Sequence, residues 1–383
     1  MNPLAELEAL SPEMTAWRRD IHAHPELSGA ETRTAKMVFD VLTSLGLSPE
    51  AGIGGEGVVA VINGKADGPS IGLRADMDAL PMNDDSGVPH ASKHAGVSHS
   101  CGHDGHTATL LGAARYLAEN PPARGRVVLI FQPAEETGLG AKAMMDDGLF
   151  ERYPCDEVYA YHNMPLLPFG EMAVHTGPTL NGYKIWEIDI QGVGGHGAAP
   201  HKTKDPVQAA VRVASEISSI VGRHVDPMEP ALCTVTKLQA GNSHNVVPHE
   251  ASLAGTLRAT SQDVIDTMWQ QLQAICEGVG RMTGTTITVT ETAGVPPCFN
   301  AAEQADIAAK AAASVFGAEN VRRGLKPYPF TDDFAYMLQQ APGAYVFIGQ
   351  GGTMVHQTAY DFNDNLLAPV ASLFAKIVED RLT

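Results

Sequence analysis

Residues 101–106 read Cys-Gly-His-Asp-Gly-His, which puts a thiol, two imidazoles and a carboxylate into one short run. These side chains hold borderline-soft divalent metals, and the glycine after Cys101 lets Cys101 and His103 converge without a side chain between them. Such a run constrains the whole chain, because the fold must bring the remaining donors to it from elsewhere. Glu135-Glu136, His162 and His356 each stand at the end of an apolar stretch and are candidates for that role. The expected centre is assembled from distant segments.

Apolar runs at 57–62, 71–75, 126–131 and 157–161 read as strands, while 12–21, 31–45 and 107–117 carry helical apolar spacing, with Asp104 as the N-cap of the last. Strands alternating with helices predict an α/β domain with a largely parallel central sheet, in which ligands bind beyond the carboxyl ends of the strands. Glu135, Glu136 and His162 directly follow strand candidates. From residue 183 the rhythm changes. Residues 186–191 alternate with period two, 206–221 form an amphipathic helix, and 233–238 and 251–258 read as paired strands. A helix at 264–279 and a strand at 286–290 complete a β-α-β-β-α-β, ferredoxin-like series. The first style then resumes, with helices at 305–315 and 333–340, a strand at 344–348 and a terminal helix from Asn363. The predicted architecture is an α/β catalytic domain of residues 1–182 and 293–383, with an inserted α+β satellite domain at 183–292.

The 383 residues carry 26 Lys and Arg against 44 Asp and Glu, a net charge of -18. That balance argues against a non-specific grip on nucleic acid or an anionic membrane, leaving a small molecule or a second copy of the chain as the expected partner. The N-terminus has neither the basic nor the apolar region of a signal peptide, and no stretch approaches the length of a membrane span. Five scattered cysteines (Cys101, Cys155, Cys233, Cys276, Cys298) fit reduced thiols and a cytoplasmic setting better than a disulfide framework.

Neighbours in a strand point to opposite faces, so Glu135 and Glu136 can serve one cluster only after the chain has left the strand, and Pro133 supplies the break. Two carboxylates at such a turn allow a division of labour, one binding a cation and the other taking a proton from water. Alone, the pair would read as a solvated acidic turn; the Cys-His run tips the reading toward chemistry. Asp76 and Asp78, at the end of the strand that carries Arg74, could each orient a liganding histidine from behind, or Asp76 could pair with Arg74. His196 in its glycine-rich turn and Arg258 after an apolar strand would, by themselves, pass for an ordinary loop histidine and an ion-pair residue.

Six motifs occur in order: Arg74-Ala-Asp-Met-Asp-Ala-Leu-Pro81, Cys101-Gly-His-Asp-Gly-His106, Gln132-Pro-Ala-Glu-Glu136, Gly195-His-Gly-Ala-Ala-Pro-His201, Asn245-Val-Val-Pro248 and Tyr360-Asp-Phe-Asn-Asp364. Together they resemble the aminoacylase and hippurate hydrolase branch of the dinuclear metallopeptidase superfamily, over essentially the whole chain. The resemblance implies two divalent ions per subunit (Zn, Mn, Co or Ni), ligated by Cys101, His103, Glu136, His162 and His356, with Glu135 as general base. It also implies a satellite domain that dimerises, with His196 reaching the partner subunit's site, Arg258 clamping a substrate carboxylate and Asn245 assisting near the substrate. The implied reaction is hydrolysis of the amide bond of an N-acyl amino acid. A dipeptidase or an N-acetyl-diaminopimelate-type deacetylase would use the same centre. Three positions depart from the family pattern: His356-Gln-Thr lacks a proline two residues after the histidine, Ser98-His-Ser replaces Met-His-Ala, and Asn83-Asp-Asp stands where a glutamate is common.

Two other classes compete. A cysteine hydrolase pairing Cys101 with His103 would leave Glu135-Glu136 unexplained. A metal-binding protein without catalysis would need no base at Glu135.

Overall fold

Four apolar segments, Arg126–Gln132, Ser70–Asp76, Glu157–Met164 and Gly343–Gly349, are buried almost end to end. Strands hidden on both faces must lie between covering layers, as parallel strands do. In the computed structural model, which describes residues 3–383, they pair in that order, each parallel to the next. Gly57–Asn63 and Glu50–Ile53 extend one side with antiparallel pairing. On the other side Met172–Val174 runs antiparallel to Gly343–Gly349 and parallel to Val321–Arg323. The result is an eight-stranded α/β sheet with a parallel centre.

The helix His103–Glu119 packs against Ser11–Ala23 and Leu367–Arg381. Its Leu110, Leu111 and Leu117 are 0%, 0% and 1% exposed. Each such leucine contributes about 1.5–3 kcal/mol of burial free energy. The helix begins at His103, earlier than periodicity predicts, and Gly102 precedes it. Asp104 is therefore not its N-cap. It lies in the first turn, where its side chain meets Arg18 Nε at 2.9 Å and His22 Nδ1 at 2.7 Å. His162 lies within its strand and does not follow it. The helix expected at 333–340 shrinks to Ala335–Leu338, because the chain is wound more tightly at both ends, with Tyr336 N–H donating to Asp333 O at 2.9 Å and Gln340 N–H to Met337 O at 3.0 Å.

The chain divides into two compact units. The first takes in the chain up to Thr179, Phe299–Lys326 and Asp332–Thr383, and the second takes in Leu180–Cys298 and Pro327–Thr331. The second unit thus includes a short returning segment, 327–331, that the sequence reading left with the first. Its antiparallel sheet runs Ala231–Ala240, Glu250–Ala259, Gly182–Gln191, Thr286–Val295. Alternating burial along Glu250–Ala259 turns one face toward the helices Pro206–Ile217 and Gln262–Thr283. The core between them includes Trp186, Ile188, Leu257, Val213 and Leu272. A separate two-stranded ribbon pairs Gly195–His196 with Val246–Val247. Among the described residues, no helix is long and apolar enough to cross a membrane.

Candidate metal centre

Four chain segments of the first unit bring their donors to one place. Cys101 ends the loop before the helix His103–Glu119, and Gly102 joins them in a left-handed conformation (φ 101°). A Cβ there would lie 2.5 Å from Asn163 Oδ1 and 2.6 Å from the Tyr360 hydroxyl, so the turn that presents Cys101 and His103 together admits only glycine. Glu135 and Glu136 stand on a 3-10 turn just past the strand Arg126–Gln132. His162 projects from Glu157–Met164. His356 is one of two non-glycine residues with positive φ (62°) among the described residues, and its N–H donates to Ser100 O at 2.7 Å. That bond ties the His356 loop to the residue before Cys101.

The donor atoms form two triads that share the thiol. Cys101, His103 and His162 offer ligand atoms within 4.8 Å of one another, and so do Cys101, Glu136 and His356. Within them, Cys101 Sγ is 3.3 Å from His162 Nε2 and His356 Nε2 is 3.4 Å from Glu136 Oε1. Glu135 adjoins both, forming a third group with His103 and Glu136. Two buried atoms aimed at this point, His103 Nε2 and Glu136 Oε1, have no hydrogen-bond partner. Orphaned polar atoms cost about 1–3 kcal/mol each, and cations at the two triads would remove that cost. The donor set of thiol, imidazole and carboxylate fits divalent ions of the zinc type.

Neighbouring groups fix how these donors point. Asp78 Oδ1 accepts from His103 Nδ1 at 3.1 Å, leaving Nε2 for the centre, and Asp78 Oδ2 accepts the Glu136 N–H at 2.9 Å. His162 Nδ1 donates to Asn163 O at 2.7 Å, which likewise frees Nε2. Asp76 is held by Arg74 at 2.7 Å and accepts from His106 Nδ1 at 2.6 Å. His106 Nε2 is engaged by Asn163 Oδ1 at 2.7 Å. Both nitrogens of His106 are thus committed, which separates it from the chemically identical His103.

Burial dominates the electrostatics. It opposes charge on His103, yet Asp76, Asp78 and Glu136 outweigh it and hold the imidazole up to about 10. Burial, reinforced by Glu136 and Glu135, pushes the Cys101 thiol well up, so thiolate character there depends on a cation. His162 is held well below the usual imidazole range by burial and by His106. Glu135 is pushed well above the usual carboxylate range by burial and by the charges of Asp332, Glu136 and Asp333. The last two aspartates lie against buried Arg74, with Arg74 Nη2 at 3.2 Å from a carboxylate oxygen of each.

The remaining sequence candidates lie in the second unit. His196 is exposed on the ribbon, its Nδ1 accepting the Ala198 N–H at 3.0 Å. Asn245 is exposed, with Oδ1 bonded to Ser243 Oγ at 2.9 Å. Arg258 is half-buried on Glu250–Ala259, its guanidinium 5.3 Å from the centre of the Tyr183 ring. Sequence reasoning passed over Asn163, Arg74 as an anchor of two further aspartates, and Asp332-Asp333. Asn163 adjoins His162 and could have been flagged by position; the aspartates carry no spacing signal at all.

Residues 72–380 match the model of peptidase family M20/M25/M40. The chain is 37% identical over 378 residues to the hippurate hydrolase of Campylobacter jejuni, covering 98% of each chain. It is 36% identical over 360 residues to the N-acetyl-L-cysteine deacetylase of Bacillus subtilis, covering 92% of this chain and 83% of the relative. Among solved structures, a dinuclear metal binding peptidase of the M20 family from Bacillus subtilis superposes with a TM-score of 0.84 at 30% identity, over 98% of this chain and 99% of the other. The chain belongs to peptidase family M20/M25/M40 and is a metal-dependent amide hydrolase.

Proposed function

We propose that this chain hydrolyses the amide bond of N-acyl amino acids at two divalent ions held by Cys101, His103, Glu136, His162 and His356, with Glu135 as the general base. The observation that carries this reading is the pair of triads sharing Cys101, with Glu135 beside both. Divalent ions held there supply Lewis acidity, polarising a carbonyl and making water more acidic. Glu135 accepts the proton of the attacking water at its carboxylate and later delivers it to the departing amine. Asp78 keeps the His103 Nδ1 proton directed away from the ions.

For the second unit, the proposal is that Arg258 receives the substrate carboxylate through its planar fork, that Asn245 assists, and that His196 donates to the oxyanion. A homodimer formed through residues 183–292 would let His196 serve the partner subunit's site. Five free cysteines support a reducing, cytoplasmic setting. Zn, Mn, Co and Ni all suit this donor set.

The hippurate hydrolase relative favours an aromatic acyl group, and the N-acetyl-L-cysteine deacetylase relative favours acetyl. A panel of N-benzoyl and N-acetyl amino acids, their C-terminal amides and simple dipeptides, assayed with each metal, separates these. Free-carboxylate N-acyl amino acids are expected to be the best substrates. Preferential cleavage of dipeptides, or of the amides, would overturn the substrate class. Glu135→Gln is expected to keep its metal and lose roughly two or more orders of magnitude in turnover; unchanged turnover would remove Glu135 as the base.

A further inference from the structure

The turn that carries Glu135 and Glu136 is bent by a residue type that seldom bends this way. Ala134 has φ 53° and ψ 38°, the left-handed region that a Cβ disfavours. Something outside the turn must therefore hold it. Its N–H donates at 2.8 Å to Oε1 of Glu31, a side chain 103 residues earlier in the chain. Glu31 is 0% exposed. The same Oε1 accepts the Gly29 N–H at 3.0 Å, and Oε2 has no hydrogen-bond partner. A carboxyl group buried with one oxygen unanswered is a costly choice for a residue that merely fills space.

The surroundings of the turn give that choice a purpose. The Ala134 carbonyl accepts from Gly140 N at 3.1 Å and from Thr137 Oγ at 3.0 Å, while the Glu136 N–H is held by Asp78. Two buried carboxylates thus grip the N–H groups on either side of Glu135, and its side chain is aimed by a main chain clamped at both ends. Asp78 also answers to His103, whereas the hydrogen bonds of the Glu31 side chain go only to this turn and to its own loop.

We propose that Glu31 is a positioning residue for the reaction: by accepting the Ala134 N–H it fixes the left-handed turn that directs the Glu135 carboxylate at the metal centre. The proposal rests on the reading of Glu135 as the base. Losing the acceptor lets the turn relax toward an ordinary backbone conformation, and displacement of a reacting group by about 1 Å can reduce the rate by about 100-fold.

The test uses the full-length, metal-loaded protein with N-benzoylglycine as substrate. Glu31→Met removes the acceptor at similar volume and is expected to lower kcat by roughly 10- to 100-fold, with KM and metal content within about twofold of wild type. Glu31→Gln keeps an oxygen for the Ala134 N–H and is expected to retain kcat within about threefold. If Glu31→Met does not fold, Glu31→Ala, which admits water to the vacated acceptor position, replaces it, with a kcat expected below that of the Gln variant. In a Glu135→Gln background the Glu31 substitution is expected to have little further effect, because both act on one step. Wild-type kcat in the acceptor-less variant, equal losses in the Gln and Met variants, or a full multiplicative loss in the Glu135→Gln background would each overturn the role of Glu31. Full activity of Glu135→Gln alone would instead overturn the base assignment, so the two failures are distinguishable.

Discussion

Asp78 is the residue on which both triads lean, and its removal should be felt first in metal affinity. It is 1% exposed; Oδ1 accepts from His103 Nδ1, and Oδ2 accepts from Ser28 Oγ at 2.6 Å and from the Glu136 N–H at 2.9 Å. Asp78→Asn keeps the shape but turns one oxygen into a donor, so either His103 or the Ser28 and Glu136 pair must lose its acceptor. Asp78→Ala strands both. At about 1–3 kcal/mol for each stranded buried donor, the alanine variant should lose roughly 2–6 kcal/mol around the site, counting the imidazole and the main-chain N–H. Partners behind a metal ligand typically carry about 10- to 100-fold in affinity, or roughly 1.4–2.7 kcal/mol, and Asp78→Asn should fall in that range. The assay is competition for Zn(II) between the metal-free protein and a chromogenic chelator, with circular dichroism to establish that the variant is folded. A folded Asp78→Asn protein that binds zinc within twofold of wild type would refute the claim that this carboxylate organises the centre.

Two further substitutions probe the scaffold. A Cβ on Gly140 would sit 1.6 Å from the carbonyl oxygen of Pro133, so Gly140→Ala should cost about 1–3 kcal/mol and lower turnover per folded molecule as the Glu135 turn shifts; an unchanged Tm and kcat would count against that close approach. His22, 1% exposed and bonded to Asp104 and Asp84, is raised from 6.5 to about 9, because the carboxylates outweigh the opposing effect of burial. A group with a raised folded-state pKa contributes stability that is complete below 6.5 and lost as pH climbs through 9. Unfolding free energies from urea titrations of the metal-loaded wild type should therefore fall across that window by an amount on the order of 3 kcal/mol beyond any fall in His22→Asn; parallel curves for the two proteins would rule the pair out as a source of pH dependence.

The strands of the central sheet were legible because fully buried segments leave unbroken apolar runs, as in Arg126–Gln132. Helix starts were less so. Asp104 has the composition of a cap, but Arg18 and His22 hold its side chain from another helix, and no local signal discloses that contact. The donor types around Cys101 could be read from one short run, whereas the choice of His103 over His106 came from the family resemblance and not from the run itself. In the structure that distinction depends on Asn163 and Asp76 occupying both nitrogens of His106. Glu31 gave no sequence signal either: its partner is a main-chain N–H far along the chain, and a main-chain donor leaves no trace in residue identity.

The pairing of Glu157–Met164 with Gly343–Gly349 joins segments far apart in the chain. Tyr159 meets Ala344 at the middle of the sheet, with the whole of the second unit threaded between them. Closing so long a loop is slow for an open chain, and prior collapse of the intervening unit shortens it. His356 lies beyond even that strand. If His356 is the ligand proposed above, a ribosome-bound chain would hold an incomplete set of the proposed ligands until His356 had emerged, and a second ion would be acquired only after that.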